Sequence, residues 1–198
     1  MSEEITKVSY SLGVSIARNL QSQGLKELNI NEFTEAVSAI FAGNKPKIED
    51  QEVVDTLNSY FASLQEEKQG SNKEDGIAFL EANKEKEGVI TLPSGLQYSV
   101  LVNGKGDKPT LSSNVTTHYH GTTIDGNVFD SSVQRGQPAS FPVNGVIKGW
   151  TEALQLMTVG SKWKLFIPSE LAYGDRGAGA DIGPYATLIF EVELLSID

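Results

Sequence analysis

Near residue 88 the recurrence of apolar side chains changes from every third or fourth position to every second, so one chain has to supply both helices and a pleated sheet. Two folding units are therefore expected, and 198 residues suffice for two small domains. Upstream of the change, Ile5, Val8, Leu12, Ile16 and Leu20 lay one stripe along a helix, with Gly24 as its stop. Asn29 or Asn31 caps a second helix, which carries Phe33, Val37, Ile40 and Phe41 and closes at Gly43 before the turn at Lys45-Pro46. Val53, Val54, Leu57, Phe61 and Leu64 predict a third. It runs into a charged stretch from Gln65 to Gly88, whose middle is weakened by Gly70, Ser71 and Gly76.

Three helices in so few residues bury little surface, and domains of this size gain the missing core by association. A homodimer formed through this half is the expectation. Residues 1–70 read as a helical dimerisation domain and 71–88, rich in Glu, Lys and Asn, as a solvated helical connector. Residues 89–198 read as a sheet domain.

In that last part Leu96, Tyr98 and Val100 alternate with Gln97 and Ser99, as in a strand with one buried face. Val115 to Gly121 reads as another strand, and Asp125-Gly126 marks a tight hairpin after it. Trp163, Leu165 and Ile167 alternate with Lys162, Lys164 and Phe166; Leu188, Phe190, Val192 and Leu194 alternate with Ile189, Glu191 and Glu193. Between these strands Ile147, Trp150, Leu154 and Met157 fall at helical spacing, enough for a short amphipathic helix against the sheet. The fold class is α+β, with one antiparallel sheet wrapped around one short helix and an all-α domain in front of it.

Composition removes several function classes. With 39% hydrophobic residues the chain can build a core, and without cysteine it has no disulfide, thiolate metal site or cysteine nucleophile. A net charge of -10 repels phosphate backbones and anionic headgroups, so neither nucleic acid nor a membrane is an expected partner. The start, Met-Ser-Glu-Glu-Ile, lacks a basic region followed by an apolar run, and a cytoplasmic location is expected. His118 and His120 share a strand face but have no third soft ligand in the motif, so no metal is expected. Gly177-Ala178-Gly179 is followed by Pro184 and a strand where a dinucleotide loop needs a helix, and no serine stands in a nucleophile elbow. No cofactor is expected.

Six segments occur in an order that resembles the FKBP-type peptidyl-prolyl cis-trans isomerases. They are Ser94-Gly95-Leu96-Gln97-Tyr98, His118-Tyr119-His120-Gly121, Gly126 to Ser132, Val146 to Trp150, Gly160-Ser161-Lys162-Trp163 and Leu171-Ala172-Tyr173-Gly174. The ending, Ala186 to Leu195, resembles that family's final strand, and the match covers roughly residues 88–198. The helical half resembles the dimerisation region of the Mip-like and FKBP22-like bacterial branch.

The resemblance implies an enzyme acting on proline-containing unfolded or partly folded polypeptides, with chaperone-like client binding through the dimer. A catalyst of this reaction must bind the twisted amide better than either planar form, whose barrier is about 18–20 kcal/mol. No bond breaks, and a dry apolar cleft helps because the planar amide's charge separation is what water stabilises. By resemblance the proline ring sits on Trp150, walled by Tyr119, Phe129, Phe141, Val146, Ile147 and Phe190, with Ile182 as an apolar flap. Tyr173 donates its hydroxyl to a neighbouring carbonyl, and Asp130 acts electrostatically beside the carbonyl that rotates. Tyr119, Phe129, Asp130, Tyr173 and Phe190 form the catalytic set, the others the substrate-binding set. The family also binds macrolides such as tacrolimus and rapamycin, but here Asp181 stands where it often has an apolar residue and Gly183 where it often has proline. A more mobile loop and a weaker macrolide affinity are expected. The competing reading is a non-catalytic holdase that uses the same cleft to hold peptides.

Overall fold

The computed structural model describes residues 2–198, which divide into a first unit ending at Glu67 and a second, Lys68–Asp198. In the first unit helix α1 (Glu3–Ser22) begins at Ser2, whose side chain accepts from the Ile5 N–H. Helix α2 (Ile30–Phe41) begins at Asn29, which accepts from both Asn31 and Glu32 N–H; of the two candidate caps the first is used. Lys47 holds Glu32 and Glu35 at 3.1 and 2.8 Å. No residue of α1 or α2 is buried.

Helix α3 (Asp50–Asn83) contains the division between the units and runs without a break through Gly70 and Gly76. A glycine inside a helix costs about 1 kcal/mol relative to alanine. At Gly76 a packing reason outweighs that cost: a Cβ there would stand 2.5 Å from Thr187 Oγ1. The stretch that reads as a solvated connector is partly buried. Gly76 and Asn83 are buried, and the Phe79 ring lies 6.0 Å from that of Phe166.

The second unit is a seven-stranded antiparallel sheet. Its strands are β1 (Val89–Thr91), β2 (Gln97–Val102), β3 (Asn114–Thr123), β4 (Val128–Ser131), β5 (Ala139–Pro142), β6 (Lys162–Ile167) and β7 (Leu188–Ile197). They pair in the order β1-β2-β6-β7-β3-β4, and β5 pairs with the other end of β3. Two helices interrupt them, the single turn α4 (Ser132–Arg135) and α5 (Lys148–Leu156). Asp125-Gly126 turns the chain between β3 and β4, with Gly126 at φ 87°.

Alternation along β6 and β7 sends Trp163, Leu165, Ile167, Leu188, Phe190, Val192 and Leu194 into the core, where α5 adds Trp150, Ala153 and Leu154. Gly149 brings α5 close to the sheet, since a Cβ would lie 2.6 Å from Ile167 Cγ2. The opposite face departs from simple alternation at one corner. Gln97 and Phe166 are buried there although both point away from α5's side. The last turns of α3 cover them, and the polar Gln97 is satisfied by Asn83 and the Leu80 carbonyl. Among the described residues no helix is long and apolar enough to cross a membrane.

Candidate active site

Where β3, β4, β5, α5 and the loop before β7 converge, a cleft of about 690 Å³ opens. Its wall holds all ten residues that the sequence assigned to one site: Tyr119, Phe129, Asp130, Phe141, Val146, Ile147, Trp150, Tyr173, Ile182 and Phe190. Gly145, Ala178, Gly179 and Asp181 complete it.

Trp150 enters from the first turn of α5 and forms the floor, 4% exposed, with its indole Nε1 unpaired among the described residues. Three rings meet it edge to face: Tyr119 from β3 at 5.4 Å, Phe141 from β5 at 5.9 Å and Phe190 from β7 at 5.3 Å. Phe129 from β4 extends this wall, edge-on to Phe190 at 5.3 Å. Such edge-to-face pairs add about 0.5–1.5 kcal/mol each beyond simple burial. Gly121 makes room for the pair, since a Cβ on it would lie 2.7 Å from both Phe129 Cζ and Phe190 Cε1.

The polar side of the cleft is a linked set. Tyr119 donates its phenol to Asp130 Oδ2 at 2.5 Å, Arg135 Nη1 bonds Asp130 Oδ1, and Arg135 Nη2 donates to the Tyr119 hydroxyl at 2.8 Å. Local structure delivers these groups. The buried Ser132 hydroxyl accepts from the Tyr119 N–H at 2.7 Å, and Ser131 caps α4 by accepting from the Gln134 N–H. Gly136, at φ 71°, ends that single turn so that Arg135 faces back toward Asp130. Burial pushes the Asp130 carboxyl up, but the hydrogen bonds from Tyr119 and Arg135 outweigh it and hold its pKa below the ordinary value. The Tyr119 phenol is raised, first by burial and then by donating to Asp130. Tyr173, half exposed at the rim, is raised by burial and by the Asp130 charge. Both phenols are therefore neutral donors at ordinary pH. Arg135 was not among the sequence candidates; its only signal is an arginine five residues beyond Asp130, across a turn too short to show periodicity.

The flap is ordered by a bridge in which the Ala178 N–H donates to the Ile182 carbonyl at 2.8 Å and the Ile182 N–H returns to Ala178 at 3.2 Å. Gly177 lies at φ 66° with the Ile182 carbonyl 2.2 Å from where a Cβ would stand, a place only glycine fills. Ile182 is 7% exposed, and Asp181 beside it has no ion-pair partner among the described residues. Gly183, the second departure from the family's pattern, admits a neighbour: its Cβ would lie 2.8 Å from the Asn72 side-chain nitrogen.

His118 and His120 stay outside the cleft, bonded through Nδ1 to Ser132 and Ser131 at 3.1 and 3.0 Å. Among the described residues no cluster of side chains could hold a metal ion.

Residues 105–195 match the family described as FKBP-type peptidyl-prolyl cis-trans isomerase, and residues 5–100 the domain amino terminal to it. The chain is 44% identical over 198 residues to the FKBP-type 22 kDa peptidyl-prolyl cis-trans isomerase of Escherichia coli, covering 96% of this chain and 94% of that one. It is 42% identical to the peptidyl-prolyl cis-trans isomerase Mip of Coxiella burnetii, over 98% of this chain and 87% of that protein. The crystal structure of FkpA from Escherichia coli superposes with a TM-score of 0.72 at 37% identity, covering 100% of this chain and 98% of the other.

Proposed function

The chain belongs to the FKBP-type peptidyl-prolyl cis-trans isomerases, and from that membership we propose how its own residues turn the bond. Its activity is the cis-trans isomerisation of Xaa-Pro bonds in polypeptides. The observation that carries the assignment of roles is the set of rings edge-on to Trp150, beside a carboxylate held by Tyr119 and Arg135.

The proline ring lies on Trp150 between Phe141, Val146, Ile147 and Phe190, while Phe129 and Ile182 receive the preceding side chain, so a bulky apolar Xaa is favoured. Removal of water weakens amide resonance by withdrawing solvation from its charge-separated form, which lowers the barrier to the twisted state. As the amide twists, nitrogen stops donating into the carbonyl and the carbonyl carbon becomes electron-poor. Asp130 stands beside it as a fixed negative field, and Tyr173 donates to an adjacent carbonyl and fixes the peptide's register. No proton moves. The Arg135 and Tyr119 bonds keep Asp130 ionised and aimed, so the field is in place before the substrate arrives.

Folding assistance through a homodimer is part of the same proposal. Its support is the first unit's unburied apolar surface: Leu12 and Ile16 on α1 and Ile40 and Phe41 on α2 are all exposed, Phe41 by 90%. Two clefts in one dimer raise the effective concentration of the second contact with an unfolded client. We place this activity in the cytoplasm, to be checked by cell fractionation. Protease-coupled assays on short Xaa-Pro peptides test the catalytic reading. Acceleration that is greatest for apolar Xaa is expected; rates equal to the uncatalysed reaction at micromolar enzyme would leave the holdase reading in its place.

A further inference from the structure

Helix α3 reaches the active-site loop through one face. Positions 72, 76 and 83 and the neighbours 79 and 80 recur every three or four residues, so their side chains share a stripe. At the upper end of that stripe Asn72 donates its side-chain amide to the Pro184 carbonyl at 2.8 Å, a contact across 112 residues of chain. The loop accepts it closely because Gly183 has no Cβ to meet the Asn72 nitrogen. Next to it the Lys73 ammonium stands 5.6 Å from the centre of the Tyr185 ring. One turn further along, Gly76 takes Thr187 against the helix backbone. Three successive contacts thus hold the limb 183–187, and that limb directly follows Asp181 and Ile182 in the cleft wall.

Backbone bonds alone do not tie the limb 183–187 to an element outside the loop. Between Gly174 and β7 its own backbone bonds are the Ala178–Ile182 bridge, Tyr185 N–H to the Gly174 carbonyl at 2.8 Å and Ala186 N–H to Gly183 at 3.3 Å. The loop is also tied at its start, where the Gly174 N–H donates to the Ser169 carbonyl at 2.9 Å, and at Ile182, which packs into the core; neither reaches the limb 183–187 directly. Tyr185, at φ 57°, is the one non-glycine residue with positive φ among those described, a conformation that persists only where surroundings impose it.

We propose that Asn72 is a positioning residue for the isomerase cleft: by holding the Pro184 carbonyl it sets where Ile182 and Asp181 lie over the bound Xaa-Pro segment. The group acts through the loop and touches no substrate. Its kinetic consequence rests on the isomerase reading above; its structural consequence does not.

The test uses the full chain with Asn72→Asp, which keeps the shape but replaces the donor by a second acceptor facing a carbonyl, and Asn72→Ala. Glu74→Gln, at an exposed residue two positions on and so on the opposite side of α3 from Asn72, is the control. Amide resonances of Ile182, Gly183 and Tyr185 should shift and their hydrogen exchange quicken in both Asn72 variants. The rate constant kcat/KM on a short Xaa-Pro peptide should fall about five- to ten-fold, mostly through KM, with the melting temperature nearly unchanged. Glu74→Gln should match the parent in every measurement. Unaltered loop resonances in both variants would overturn the proposal, as would shifted resonances with parental kcat/KM. A parent with no isomerase activity would overturn the functional reading instead, while the resonances still decide whether Asn72 holds the loop.

Discussion

Asn83, at the end of α3, donates to Gln97 of β2 at 2.9 Å in a fully buried contact, and Gln97 in turn donates to the Leu80 carbonyl at 2.9 Å. Two polar side chains thereby join a helix to a sheet where an apolar pair would ordinarily stand. A fragment beginning at Gly88 would lack this cover and leave Gln97 unpaired and Phe166 bare. It should be less stable than a fragment beginning at Lys68 by about 3 kcal/mol or more, a large share of the roughly 5–15 kcal/mol that holds a domain. Melting temperatures of the two fragments check this, and the longer one should keep its activity on short peptides.

Gly121→Ala places a Cβ 2.7 Å from the rings of Phe129 and Phe190, both packed against other aromatics. The rings must move, at about 1–3 kcal/mol of stability. Peptide turnover should fall at least about ten-fold, since a displacement of 1 Å in a site costs on that scale or more. Parental turnover in this variant would show that the ring geometry does not set the rate.

The Asp130 carboxyl titrates below its ordinary value of 3.8. A depressed carboxylate stabilises the fold above its unfolded pKa, and that contribution is lost as pH falls through the folded one, so the window lies at and below 3.8. Asp130→Leu should lower turnover with little change in melting temperature, because the side chain is half exposed. Arg135→Met should shift the acid limb of the turnover profile to higher pH than in the parent. An unmoved acid limb would mean that Arg135 does not tune Asp130.

Asp181 stands in a cleft wall that is otherwise mainly apolar, next to the buried Ile182. Asp181→Ile should tighten tacrolimus binding by about ten-fold, as expected when an apolar ligand no longer desolvates a carboxylate. Turnover of short peptides should change far less. Calorimetric titration of both proteins decides it, and equal affinities would place the ligand away from Asp181.

Phe41→Asp and Ile40→Asp on α2 should dissociate the proposed dimer, since both side chains are exposed within the chain. Sedimentation at tens of micromolar would show the parent as a dimer and the variants as monomers. A monomeric parent would remove the dimer from the proposal, and with it the expected loss of refolding activity in the variants.

Much of this molecule is legible in its sequence because hydrophobic period reports which face is buried. The strands carrying Tyr119 and Phe190, the helix carrying Trp150 and the Asp125-Gly126 hairpin all follow from that rule or from turn chemistry. The α3 face was hidden for the same reason. Asn72, Gly76 and Asn83 pack through hydrogen bonds and close approach, so the stripe's apolar signal is confined to Phe79 and Leu80 within a charged run, and it reads as solvated. Gln97 misled in the same way, since its burial depends on a partner fourteen residues earlier in the chain. Arg135 lay beyond reach because a long side chain returning over one helical turn leaves no pattern behind.

The chain has two tryptophans, and they occupy unlike surroundings. Trp150 lies on the cleft floor, whereas Trp163 is stacked flat on Tyr98 at 4.2 Å, within the sheet and outside the cleft wall, although neither indole N–H has a partner among the described residues. Intrinsic emission therefore carries two separable signals. Occupancy of the cleft should alter the Trp150 contribution alone, while unfolding should release Trp163 from its neighbour, so that Trp163→Phe leaves a natural optical reporter of ligand binding that needs no attached dye.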